Sequence, residues 1–163
     1  MPVIVVRHGL SEANNRNNVG NLAFASETAP LMELGRQQAR ALRPMLNDEY
    51  SINPSATPAA TSELLRTQQT AQEAGFLTLK AYSCLDEVKH GMELTSLRAI
   101  LDEGMLPSIA LQSAEAVLNN PPPEESIWFT HGLLIAGLCA ALGVHQDRRL
   151  IPRFCEAREL PIP

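Results

Sequence analysis

Val3-Ile4-Val5-Val6-Arg7-His8-Gly9-Leu10-Ser11-Glu12-Ala13-Asn14 opens with four apolar, mostly β-branched residues and closes in polar ones. The apolar four read as a short buried strand. Such a strand delivers Arg7, His8, Ser11 and Asn14 to its own C-terminal end, where ligand sites of open α/β sheets lie. Gly9, beside the histidine, lets backbone approach a bound group closely. Taken alone, the stretch admits two readings: a strand running into an ordinary polar loop, or a strand running into a site.

Outward from it, the chain alternates helix and strand patterns. Asn14 to Thr28, rich in Asn and Ser, reads as a long loop of the kind that often carries function. Leu31 to Asn47 reads as a helix with Ala39, Leu42, Met45 and Leu46 on one face, and Pro44 predicts a kink or a split in it. Ile52 to Thr61 has room for a brief strand. Thr61 or Ser62 is the expected cap of a helix that runs to about Ala74 and stops at Gly75. Phe76 to Tyr82 is a further strand. Leu94 to Glu103 and Pro107 to Asn119 read as two helices parted at Gly104, with Pro107 at a first turn. Pro121-Pro122-Pro123 is a rigid connector. Ser126 to Thr130 is a strand, and Leu133 to Leu142 is a helix apolar on nearly every side, hence buried, with Gly143 ending it. Leu150 to Leu160 has room for a last strand. This order predicts an α/β fold over 1–163 as a single domain: a three-layer sandwich with a mostly parallel central sheet between helices.

With 163 residues, 45% hydrophobic and 19% charged, the composition suits one globular domain with a sizeable core. The sequence has no apolar run of membrane-spanning length and no signal-peptide pattern, so a cytoplasmic protein without membrane partners is expected. Cys84, Cys139 and Cys155 are odd in number and irregularly spaced, which fits free thiols in a reducing compartment. Thirteen basic residues against 18 acidic ones argue against generic nucleic-acid binding. Only Lys80 and Lys89 are lysines; the other cations are arginines, whose planar fork matches phosphate or carboxylate, unless composition bias alone produced them.

Two strand patterns end alike, Val5-Val6-Arg7-His8-Gly9 and Trp128-Phe129-Thr130-His131-Gly132. Singly, each histidine has an ordinary structural reading. As a matched pair on neighbouring strands they would meet over one pocket. Arg66 falls in the first turn of the helix expected after Ser62, where a cation opposes the helix dipole unless an anion lies between it and the free backbone N–H groups. The alternative is an exposed arginine of little consequence. Asp86 and Glu87 follow a strand pattern; near an anion, a carboxyl there is pushed toward protonation and becomes a general acid, while alone the pair reads as a solvated turn. The four histidines, His8, His90, His131 and His145, lack metal-ligand spacing, and there is neither a P-loop nor a dinucleotide fingerprint, so no metal and no cofactor are expected. His90 and His145 read as structural or surface residues, although His90 lies three residues from Glu87.

Arg7-His8-Gly9-Leu10-Ser11-Glu12-Ala13-Asn14 resembles the R-H-G-x-[ST]-x-x-N signature of the histidine phosphatase (phosphoglycerate mutase-like) superfamily. Pro30 to Ala39 resembles its L-T-x-x-G-x-x-Q-A segment, with Met32 in place of Thr, and Ser62 to Ala71 resembles its S-x-L-x-R-[AT]-x-Q-T-A helix. Leu85-Asp86-Glu87 resembles the segment carrying its acid, and Thr130-His131-Gly132 its second histidine. The resemblance implies a phosphoglycerate mutase-like fold and His8 as a nucleophile that becomes phosphohistidine. It implies that Arg7, Asn14, Arg66 and His131 hold the phosphoryl group of a small phosphorylated substrate. It also implies that Glu87 protonates the leaving oxygen and then activates water, with no metal or cofactor.

Only 43 residues lie between Glu87 and His131 (88 to 130), with Lys89, His90 and Arg98 as their cations. Mutases of the family usually carry a longer insertion there, so hydrolysis of phosphomonoesters is expected over mutase-type phosphoryl transfer. The compact phosphohistidine protein phosphatases of the superfamily are similar in length but lack an obvious acid at the Glu87 position. A non-catalytic domain that binds phosphorylated ligands is the remaining alternative, and such a domain needs neither nucleophile nor acid. Oligomeric state is not legible in the sequence.

Overall fold

A computed structural model describes residues 2–14, 27–144 and 149–163. Five strands, β1 (Val3–Arg7), β2 (Ala59–Thr61), β3 (Leu79–Ala81), β4 (Ile127–Thr130) and β5 (Ala157–Leu160), form one sheet in the order β3-β2-β4-β1-β5. β1, β4, β2 and β3 run parallel, and β5 closes the edge antiparallel to β1. Five helices accompany them: α1 (Glu33–Tyr50), α2 (Leu65–Glu73), α3 (Leu94–Asp102), α4 (Ser108–Asn119) and α5 (Gly132–Ala141). This is the α/β sandwich with a mostly parallel sheet that the alternating pattern predicts.

The strand period of two divides the core into two layers. Ile4, Val6, Ile127 and Phe129 turn to one face, where Leu42 and Leu46 of α1 and Ala71 of α2 cover them. Val3, Val5 and Trp128 turn to the other, against Leu97, Ala110, Ala114, Leu134 and Leu138 of α3, α4 and α5. α5 is buried along nearly its whole length, as its uniform apolarity predicts. A Cβ on its Gly137 would stand 2.5 Å from the Ala110 carbonyl oxygen, so the glycine sets the close approach of α4 and α5. Cys84, Cys139 and Cys155 are free thiols.

Several boundaries differ from the sequence pattern. α1 starts at Glu33, because Leu31 is already spent in a bridge to Ser11, and it continues through Pro44 as one helix instead of splitting. The fully buried Leu42 and Leu46 hold both sides of the proline in the core, while Pro44 itself is exposed. Met45 is only partly buried. α2 is not capped by Thr61 or Ser62: Thr61 belongs to β2, and the helix begins at Leu65 after Leu64. The strand expected over Phe76 to Tyr82 shrinks to Leu79–Ala81, since Phe76 packs edge-on against Phe129 with ring centroids 5.2 Å apart. The last strand occupies only Ala157–Leu160 of the expected range, and α4 begins at Ser108, with Pro107 just outside it. Segment 15–26 of the expected loop, and His145, lie outside the described residues.

The close approach at Gly9 is to protein backbone. A Cβ there would stand 2.6 Å from the Gly35 carbonyl oxygen, and a Cβ on Gly35 would run into the Leu10 carbonyl oxygen. That same Leu10 oxygen accepts the Met32 N–H at 2.9 Å, so the paired glycines clamp the first turn of α1 onto the end of β1. Gly35→Ala is therefore expected to destabilise the protein by about 3 kcal/mol or more, because two rigid backbones must part. The midpoint of urea unfolding reads this directly, and an unchanged midpoint would show that the clamp is soft.

Candidate active site

Three neighbouring strands end in a row of polar residues. β1 leads into His8, β4 into His131 and β2 into Ser62. Backbone bonds extend the sheet past its last side chains: His8 N–H donates to Thr130 O at 3.1 Å and Ser62 N–H to Phe129 O at 3.2 Å. The two imidazoles consequently meet, with centroids 5.1 Å apart and planes at 61°. His8, Ser62 and His131 are all essentially inaccessible to solvent.

His8 Nδ1 lies 2.7 Å from the Gly9 carbonyl oxygen. A carbonyl only accepts, so Nδ1 carries the proton and Nε2 keeps its lone pair. Burial, reinforced by the charges of Arg66 and Arg7, holds the His8 pKa well below the usual imidazole range, so the ring is neutral near neutral pH. Its loop is fixed from several sides. Gly9 N–H donates to Thr70 Oγ1 at 3.0 Å, and that hydroxyl donates to the Arg66 carbonyl at 2.7 Å. Leu10 N–H donates to Gln38 Oε1 at 3.0 Å, and Leu31 N–H donates to Gln69 Oε1 at 2.8 Å. α1 and α2 thus position the His8 loop through their own side chains.

Arg7 is held by three contacts. Its Nη1 donates to Pro152 O at 2.7 Å, its Cζ stands 4.0 Å from the centroid of the Phe154 ring, and it lies against Gly132, where a Cβ would come within 3.0 Å of its Nε. Burial lowers its pKa to about 10, which leaves it charged at neutral pH. Its Nε is buried without a hydrogen-bond acceptor among the described residues. Arg66, in the first turn of α2, is also buried, and its charge acts on His8, His131 and Glu87. The open helix end expected beside Arg66 is partly closed: Leu65 N–H donates to Glu27 O at 2.8 Å and Thr67 N–H to Leu64 O at 3.2 Å. The positive character of the cluster therefore comes chiefly from the two guanidinium groups.

Glu87 joins the cluster because Thr130 Oγ1 donates to Leu85 O at 2.6 Å and pins the segment after β3 to the end of β4. Its Oε1 accepts the Val88 N–H at 3.0 Å, and its Oε2 lies 3.7 Å from His131 Nδ1, with 30% of the side chain exposed. Burial raises its pKa above the usual carboxylate value, against the opposite pull of Arg66, the Val88 N–H and Arg7. His131 is pushed well below the usual imidazole range, chiefly by burial and then by His8 and the two arginines. Asp86, by contrast, turns away to accept the Glu63 N–H at 2.8 Å. Asn14 has local contacts: its Oδ1 accepts from Ser11 Oγ at 2.8 Å, so the amide nitrogen is the end left to donate to a ligand. His90 Nδ1 accepts the Met92 N–H at 3.0 Å within its own turn, and Lys89 and Arg98 are exposed.

Residues that the sequence pattern does not single out complete the wall. Phe154 carries Arg7 and has its ring centroid 6.0 Å from that of His8. No local pattern announces it, because it reaches the site only through the pairing of β5 with β1. Ser62 is legible in principle: it follows β2 as His8 follows β1, and its resemblance to a helix cap conceals that parallel. Among the described residues, no group of three or more His, Cys, Asp or Glu is disposed to hold a metal ion, and no helix is long and apolar enough to cross a membrane.

Two buried histidines, two buried arginines and a carboxyl at the C-terminal edge of a parallel sheet form an arrangement suited to a phosphoryl group, and the sequence comparison agrees. The family model of the histidine phosphatase superfamily (branch 1) matches residues 3–103, and the chain belongs to that superfamily. The match takes in His8, Arg66 and Glu87, while His131 enters the site through β4. No curated protein sequence matches the chain. Among solved structures, it is similar to the protein TTHB049 of Thermus thermophilus, at 22% identity over 100% of this chain and 95% of that one, with a TM-score of 0.68. It is also similar to a phosphoglycerate mutase of Thermus thermophilus, at 22% identity, 100% and 94% coverage and a TM-score of 0.67. A protein of Escherichia coli K-12 provisionally assigned as an alpha-ribazole-5'-P phosphatase shares 20% identity over 89% of this chain and 81% of its own, with a TM-score of 0.57. These likenesses concern the fold.

Proposed function

We propose that the chain is a metal-independent phosphatase that hydrolyses small phosphomonoesters through a phosphohistidine on His8. The observation that carries this reading is the state of His8: neutral, with its proton committed to the Gly9 carbonyl and its Nε2 lone pair free beside two buried cations. The Nε2 lone pair forms the P–N bond as the bond from phosphorus to the leaving oxygen breaks. Arg7 and Arg66, with His131 and Asn14, hold the phosphoryl oxygens and offset the charge that grows on them, a task other sites give to a metal. Glu87 delivers its proton to the leaving oxygen. The resulting carboxylate then takes a proton from water, the water oxygen attacks phosphorus, and the P–N bond breaks to return the lone pair to His8 with release of inorganic phosphate.

Quenching turnover of an aryl phosphate in alkali and digesting the protein tests this reading. The expected product is a peptide containing His8 with a base-stable, acid-labile phosphoryl group. Turnover with no such adduct overturns the phosphohistidine route. Transfer of the phosphoryl group to a second position of a phosphoglycerate, in excess over transfer to water, would move the reading to a mutase.

A further inference from the structure

Behind His131 lies a chain of buried hydroxyls that the phosphatase reading does not use. His131 Nε2 stands 2.9 Å from Ser62 Oγ, and Ser62 Oγ stands 2.8 Å from Thr67 Oγ1. Thr67 Oγ1 lies 2.9 Å from Leu64 O and 3.3 Å from Ser62 O. Leu64 N–H points at Ser62 Oγ from 3.2 Å. All three side chains are fully buried, so no water competes for these atoms. Elsewhere His131 has one more polar atom, Nδ1, which is buried, without a hydrogen-bond partner, and 3.7 Å from Glu87 Oε2.

The protons in such a chain can be counted. Ser62 O is already served by Thr61 Oγ1 at 2.9 Å, and Leu64 O, which only accepts, makes the shorter carbonyl contact with Thr67 Oγ1, so we assign the single Thr67 hydroxyl proton to Leu64 O. Thr67 Oγ1 must then receive the Ser62 proton. Ser62 Oγ, its proton spent, can only accept, and it accepts from Leu64 N–H and from His131 Nε2. The chain thus runs in one direction, from His131 through Ser62 and Thr67 to the backbone of α2.

We propose that Ser62 and Thr67 are positioning residues that lock His131 as the Nε2–H tautomer, so that its Nδ1 becomes a donor to the bound phosphoryl group only by taking up one further proton. This rests on the phosphatase reading for what fills the site, and on the hydroxyl geometry alone for the tautomer. A neutral ring so locked would turn a lone pair toward an oxyanion. Binding of the anion is therefore coupled to protonation of Nδ1, and the imidazolium so formed is stabilised from behind by the hydrogen bond to Ser62. Once Nδ1 is protonated, neither nitrogen of His131 has a lone pair to compete with His8 Nε2 for phosphorus.

Nitrogen-15 NMR of the imidazole groups in the whole protein tests this without any turnover. In the free protein, His131 is expected as Nε2–H with bare Nδ1, and His8 as the opposite tautomer. Saturating orthovanadate is expected to protonate both nitrogens of His131. Thr67→Val removes the acceptor for the Ser62 proton, so Ser62 is expected to turn its proton onto His131 Nε2 and shift the ring toward the Nδ1–H form; Thr67→Ser should restore the wild-type spectrum. Ser62→Ala is expected to lower kcat about tenfold, the scale of one lost buried hydrogen bond. An Nδ1–H tautomer in the free wild-type protein overturns the proposal, as does an unmoved His131 signal in a folded Thr67→Val protein. A correct tautomer in a protein that hydrolyses no phosphate ester would leave the relay standing and sink the phosphatase reading instead.

Discussion

His8→Ala is expected to lower turnover of an activated aryl phosphate by about 10⁴-fold or more, the scale at which a displaced nucleophile is felt. The size follows from the state of one atom. Nε2 of His8 keeps its lone pair because Gly9 takes the Nδ1 proton, and the charges of Arg66 and Arg7 act on the ring. His131 is not expected to substitute, since its Nε2 is tied to Ser62 at 2.9 Å and its Nδ1 takes up a proton when the anion binds. The loss should be chemical and not structural. Arg7 keeps its bond to Pro152 and its place on Phe154, and the two core layers do not depend on the His8 ring. Inorganic phosphate is therefore expected to bind the variant still, and to raise its unfolding temperature by mass action. Turnover within tenfold of the wild type would take the nucleophile's role from His8.

The parts of this site that are legible in the sequence are those built locally. β1 and β4 are β-branched or aromatic runs bounded by polar residues, and each hands a histidine to the sheet edge by its own chain direction. α5 shows its burial in its composition. β2 and β3 are three residues each, Ala59–Thr61 and Leu79–Ala81. Nothing in Ala, Thr or Lys demands a strand, and they are strands because β4 and β2 present unpaired edges to them. The start of α2 departs from its pattern for a related reason. Ser62 has the side chain of a cap, but the sheet edge places it under His131, and its hydroxyl meets the imidazole and the Leu64 N–H instead of an amide within α2. Glu87 is brought in across 45 residues by the bond between Thr130 and Leu85, and Phe154 arrives from the far end of the chain. Such long-range placement leaves no periodicity to read, so for Glu87 the resemblance to a known family carries more than the local pattern does.

Glu87→Gln is expected to slow the first turnover of alkyl phosphates by about 10²- to 10⁴-fold while leaving that of aryl phosphates with very acidic phenols nearly unchanged. An alkoxide needs a proton as it departs, whereas a stabilised phenolate leaves without one. Glu87 can supply that proton because burial raises its pKa above the usual carboxylate value despite Arg66 and Arg7, which both favour the charged form. The sign of the pH dependence follows. The acid is competent below its raised pKa and is lost as pH climbs through it. His8 is competent above its own pKa, which is depressed well below the usual imidazole value, and is lost as pH falls through it. Alkyl ester hydrolysis should therefore peak at mildly acidic pH, and in the glutamine variant, at saturating substrate, the alkaline limb due to Glu87 should flatten while the acidic limb stays. The first turnover must be read by rapid quench, because in the proposed mechanism the same carboxylate activates water in the second step, and its loss would slow release of every phosphoryl group. Equal losses for alkyl and aryl esters in that first turnover would take the acid's role from Glu87 and give it to a group on another wall of the pocket.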